Sequence, residues 1–125
     1  MFANLSSIAL GGAAGAVARF WFTGVIYQRL GSFFPLGTLF VNVLAAFLIG
    51  LIVELTQERL LLSSNVRLFT VIGFLGSFST FSAFSFETVG LIRDGALYFA
   101  CLNIFLSITL TFVAVIGGIF IGRLL

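Results

Sequence analysis

Few residues in this chain are able to do chemistry, so their spacing carries the reading. Asn103, Ser107 and Thr111 fall at i, i+4 and i+8, one face of one helix. Such a stripe on an apolar helix must face protein or water, either as hydrogen-bonding glue between helices or as the lining of a polar pathway. Thr38 and Asn42 lie one turn apart in another apolar run. The Asn42 amide suits a substrate or a neighbouring helix. Arg19 shares a face with Gly12 and Gly15. An arginine at the centre of a membrane helix costs roughly 2.5–3.5 kcal/mol, so it serves as an attractor for an anion or snorkels to the headgroups. Phe81 and Phe84, at i and i+3, point the same way among the hydroxyls of Ser79, Thr80, Ser82 and Ser85. An aromatic ring has a negative face and a positive edge. Ring edges beside hydroxyl donors suit a small hard anion, ring faces suit a cation, and plain packing needs neither. Glu87, just beyond, is a candidate proton relay or a structural partner for an arginine. Glu54, Glu58, Arg59, Arg67, Arg93 and Asp94 read as solvated loop charges.

Other chemistry is excluded by composition. There is no histidine, which removes His-based metal sites and Ser-His or Cys-His catalysis. Cys101 is alone, so no intrachain disulfide forms. No nucleophile–base pair presents itself, which argues against an enzyme. The pI of about 9.3 comes from arginines scattered singly, so no nucleic-acid partner is expected.

The elements that must position these residues are membrane helices. Of 125 residues, 61% are hydrophobic and 8% charged, and the mean hydropathy is +1.27. Soluble domains carry roughly 25% charged residues. A spanning helix needs about 20 apolar residues, so the chain accommodates four spans with short connections, a single domain over residues 1–125. They are expected at Leu5–Tyr27, Pro35–Glu54, Val66–Leu91 and Ala96–Leu125. Strict strand alternation is missing, so helices rather than a barrel are expected. The opening lacks a basic stretch, so Ile8–Ala18 reads as part of a retained span. Ser63-Ser64-Asn65 is a helix-starting cluster and Arg93-Asp94-Gly95 a turn.

The third span is too long and too polar for a plain helix. About 26 residues give roughly 39 Å, against a hydrocarbon core of about 30 Å. Its centre, Gly73 to Ser82, holds two glycines and four hydroxyls, which favours a broken helix. Charge gives almost no orientation bias. Arg59, Arg67 and Arg123 fall on one side, Arg29 and Arg93 on the other. Insertion in both directions is therefore favoured over a single orientation set by one dominant arginine, and copies in opposite orientation could form an antiparallel dimer. Gly11-x-x-x-Gly15 and Gly118-x-x-x-Gly122 are small-residue motifs that would support oligomerisation.

With these features together, the chain resembles the Fluc (CrcB-type) fluoride channel family over nearly its whole length. The resemblance rests on Gly12-Ala13-Ala14-Gly15-Ala16-Val17-Ala18-Arg19, Gly37-Thr38-Leu39-Phe40-Val41-Asn42 and Gly76-Ser77-Phe78-Ser79-Thr80-Phe81-Ser82-Ala83-Phe84-Ser85, in that order. It implies an antiparallel, dual-topology homodimer in a prokaryotic plasma (inner) membrane, with two parallel fluoride pores. Phe81 and Phe84 match the family's paired pore phenylalanines and Asn42 its pore asparagine. Arg19 matches its first-helix arginine, linked to the vestibules. Thr38 and Glu87 match positions on the polar path beside the pore. Ser82, Asn103, Ser107 and Thr111 complete the expected pore set. The resemblance also implies a sodium ion at the dimer axis, held by backbone carbonyls of Gly76 and Ser79 from both subunits. Ser79 stands where the family usually has threonine, as does Ala83, and Asn103 stands where some relatives have tyrosine. A carbonyl ligand does not depend on the side chain.

The expected function is passive export of fluoride. A small dual-topology multidrug exporter is the alternative of similar plan, but it needs a membrane carboxylate, typically in its first span, where this chain has Arg19. A structural membrane subunit without transport is the third reading.

Overall fold

The computed structural model describes residues 1–59 and 62–125 and, of residues 58 and 59, the backbone alone. The expectation that Glu58 and Arg59 are solvated loop charges therefore lies outside the described side chains. The elements in order are α1 (Phe2–Leu30), α2 (Leu36–Arg59), α3 (Ser64–Arg67), a π-helical segment (Leu68–Leu75), α4 (Gly76–Phe78), α5 (Phe81–Arg93) and α6 (Leu97–Leu124). Elements α3 to α5 together make the third span, and among the described residues four spans are long and apolar enough to cross a membrane. No strand occurs among the described residues.

The connections follow local chemistry. Ser63 caps α3, its hydroxyl accepting from the Val66 N–H at 3.4 Å. Gly31 and Gly95 close α1 and α5 at φ of 83° and 77°, a region open to glycine.

The third span is broken as its composition predicts. Ser79 and Thr80 are extended, at φ/ψ of −93°/151° and −152°/125°. Composition did not predict the eight π-helical residues upstream of the break. Short π insertions are the usual form and recur at functional sites. Here the wide segment lies along α1, where glycines admit it. A Cβ at Gly11 would collide with the Phe69 carbonyl oxygen, and one at Gly15 with that of Phe74.

The same device joins α2 to α6. A Cβ at Gly118 would strike the Phe47 carbonyl, and one at Gly50 would strike that of Val115. Both small-residue motifs therefore close helix pairs within the chain itself, which corrects the expectation that they support oligomerisation. Backbones brought this close gain dispersion and Cα–H···O contacts, which substitute for a hydrophobic driving force that lipid does not provide.

Val41, Ala45, Leu75 and Phe78 form the core. The Phe78 ring stacks on Phe74 at 5.7 Å and meets Phe22 edge-on at 5.8 Å. Most other phenylalanines face outward, as lipid requires. Glu54 departs from its expected solvated loop. It lies within α2, only 16% exposed, and accepts from Arg123 Nε at 3.0 Å.

Candidate functional site

The site begins at the break. Two extended residues leave backbone groups without helical partners, and in lipid each such group costs several kcal/mol. Asn42 on α2 supplies partners for those of Thr80. Its Oδ1 accepts from the Thr80 N–H at 2.9 Å and its Nδ2 donates to the Thr80 carbonyl at 3.2 Å. Asn42 thus pairs with Thr80 as a neighbouring strand would. Thr80 in turn caps α5, its hydroxyl accepting from the Ala83 N–H at 3.3 Å and meeting the Ser82 hydroxyl at 2.9 Å.

A groove of about 410 Å³ runs beside the break, between α2 and α6. Its polar lining comes from Asn42, Ser79, Thr80, Ser107 and Thr111, set in an apolar wall. Phe81 and Phe84 stand on it with ring centroids 5.4 Å apart and planes tilted by 44°. Phe81 is 78% exposed, so most of its ring surface is not covered by the chain's own packing.

The stripe on α6 divides. Ser107 and Thr111 line the groove, whereas Asn103 is buried, its Nδ2 donating at 2.9 Å to Thr88 on α5. The Ser107 hydroxyl donates to Asn103 Oδ1 at 3.4 Å, joining the two parts. Asn103 therefore ties α6 to α5 behind the groove.

A second polar cluster lies on the other side of Thr80. The Thr38 hydroxyl donates to Glu87 Oε1 at 2.6 Å, and the Tyr27 hydroxyl to Oε2 at 3.3 Å. Tyr27 also accepts from the Thr38 N–H at 3.4 Å. Glu87 is thus held by hydroxyls, and no arginine pairs with it among the described residues. These side chains share a cavity of about 200 Å³ with Arg19. The Arg19 Nε is buried and has no hydrogen-bond partner among the described residues. Buried unpartnered donors are rare, and a guanidinium here adds positive potential to the cavity.

Sequence reasoning passed over Tyr27 as the end of a span and over Thr88 entirely. The signal at Tyr27 is a phenol inside a span, whose hydroxyl needs a partner when buried. Thr38→Val should destabilise the protein more than Tyr27→Phe, since it removes the shortest bond to Glu87. Tyr27→Phe is expected to cost about 1 kcal/mol. Thermal unfolding in detergent ranks the two, and the reverse order would contradict this view of the cluster.

Four membrane spans, a helix broken at mid-span and a polar groove beside the break define a multi-pass membrane protein of the kind that carries a small solute or ion. A family model described as CrcB-like protein, Camphor Resistance (CrcB), matches residues 6–119, and the chain belongs to that family. It is 48% identical over 120 residues to the fluoride-specific ion channel FluC of Geobacter sulfurreducens, covering 96% of this chain and 97% of the relative. It is 43% identical to the protein of the same name from Solidesulfovibrio magneticus, over the full length of both. A third, from Methylococcus capsulatus, is 46% identical over 96% of this chain, which spans 53% of that longer relative.

Proposed function

We propose that this chain is the subunit of a fluoride-selective channel, and that it lets fluoride leave a prokaryotic cell passively across the plasma membrane. The observation that carries the reading is the juxtaposition on one groove of the Phe81 and Phe84 rings with the amide and hydroxyl groups of Asn42, Thr80, Ser107 and Thr111. Fluoride is small and strongly hydrated, so a filter must replace its water with many fixed donors. Ring edges provide donors without a cation that would trap the ion, and the Ser107 and Thr111 hydroxyls, which donate to Asn103 Oδ1 and the Ser107 carbonyl, would join them by turning toward the groove. The relatives, which are fluoride-specific ion channels by name, support the same reading.

Export needs no energy source beyond the membrane potential. Hydrofluoric acid enters neutral and dissociates in a near-neutral cytoplasm. A negative interior then drives the anion out with about 2.3 kcal/mol per 100 mV. The same force would leak chloride through a poor filter, so selectivity is essential. Arg19, beside Thr38 and Glu87, draws anions toward the polar path.

The groove is open in one subunit, and a second copy in antiparallel orientation would close it and give two pores. The near balance of arginines supports dual insertion. The carbonyls of Gly76 and Ser79 fit a sodium ion at the axis of such a dimer. The amides four residues on, those of Thr80 and Ala83, donate instead to Asn42 Oδ1 and Thr80 Oγ1. Two carbonyls per subunit are therefore without their helical donors, and Gly76 is exposed. Oxygen ligands suit a hard cation. Bound there, sodium would tie the two breaks together electrostatically.

Two measurements test this reading. Expression in a fluoride-sensitive bacterial strain should restore growth in fluoride; membrane-inserted protein that gives no protection contradicts the export role. A tag on the C-terminus should be reachable from both sides of the membrane, and single-sided access contradicts the antiparallel arrangement.

A further inference from the structure

We infer that Asn42 is a positioning residue for the cation as well as a lining residue of the groove, because its side chain keeps the Gly76 carbonyl free. The inference rests on the sodium reading above. In an uninterrupted helix the Thr80 N–H would donate to the Gly76 carbonyl, four residues back. Here that N–H is taken by Asn42 Oδ1 at 2.9 Å. One donor serves one acceptor well, so the Asn42 bond and the helical bond compete. The second Asn42 bond, from Nδ2 to the Thr80 carbonyl, locks the extended conformation that puts Thr80 N–H out of reach of Gly76. Without both, the N–H and the carbonyl are two unpaired groups in an apolar surround, and each is the other's nearest remedy. The break would shorten and the carbonyl would be consumed.

Linkage makes this reciprocal. A cation that uses the Gly76 carbonyl stabilises the arrangement in which Asn42 holds Thr80, and Asn42 raises affinity for the cation by the same factor. One side chain thus connects the anion groove to the dimer axis. Flux alone does not isolate this role, since Asn42 also lines the groove.

The test is thermal unfolding of the purified dimer in sodium chloride against N-methyl-D-glucamine chloride, a cation too large for a carbonyl site. Sodium should raise the midpoint of the wild-type protein. The rise should be lost in Asn42→Ala and only partly kept in Asn42→Asp, whose carboxyl oxygen still accepts from the Thr80 N–H but which has no amide to donate to the Thr80 carbonyl. An equal sodium shift in wild type and Asn42→Ala overturns the inference while leaving the sodium site standing. No sodium shift in the wild type overturns both. Should Asn42→Ala fail to assemble, amide hydrogen exchange at Thr80 in the wild-type dimer decides. Sodium should slow exchange there, and exchange that sodium leaves unchanged overturns the inference.

Discussion

Phe81→Ile and Phe84→Ile should each cut fluoride flux by about two- to tenfold while the protein still folds. Isoleucine keeps most of the bulk and all of the hydrophobicity, but it has no ring quadrupole and so no positive edge. A favourable aromatic contact is worth about 0.5–1.5 kcal/mol beyond its area, and a barrier raised by about 1.4 kcal/mol slows a step tenfold. The fold should survive because Phe81 is 78% exposed and neither ring belongs to the core around Val41 and Phe78. Efflux from liposomes and size-exclusion chromatography of the same preparation read the two effects separately. Normal flux in both variants would remove the paired rings from the mechanism.

The second large effect concerns the fold. Gly118→Val should abolish well-assembled protein, while Gly117→Ala, one residue away, should be silent or mildly stabilising. A side chain at Gly118 meets the Phe47 carbonyl and the Leu51 amide nitrogen, backbone atoms of α2 that do not rotate aside. Overpacking commonly costs about 1–3 kcal/mol, and here relief requires separating two whole helices. At Gly117 nothing lies within 4 Å, so a methyl group meets only open space and lowers the entropy of the unfolded chain. Gly15→Val should behave like Gly118→Val, because the Phe74 carbonyl lies where its Cβ would go. Monodispersity and thermal unfolding distinguish the variants. A stable, monodisperse Gly118→Val protein would contradict the close α2–α6 packing.

How far these features were legible depends on the range of the interaction behind them. The four spans follow from apolar length alone, and the break from Gly73, Gly76 and the hydroxyls around Ser79 and Thr80, all local causes. The pairing of Thr38 with Asn42 on one helix was also visible, but not that Asn42 faces Thr80 while Thr38 faces Glu87. Those partners are 38 and 49 residues away, and spacing within one helix carries no information about them. The glycine motifs were read correctly as sites of close approach and wrongly as contacts between subunits. A small-residue face records that a backbone comes near, not whose backbone it is. The α6 stripe shows the same limit. Asn103, Ser107 and Thr111 share a face, yet Asn103 is covered by Thr88 and the other two meet the groove. Glu54 was misplaced because its helix runs past the expected end, to Arg59, and brings the carboxylate beside Arg123.

The most direct measurement is anion efflux from liposomes that hold the purified protein, with fluoride and chloride gradients followed by ion-selective electrodes. Fast fluoride release with negligible chloride release is the expected result. Well-folded protein that releases no fluoride, or releases chloride equally well, would contradict the account.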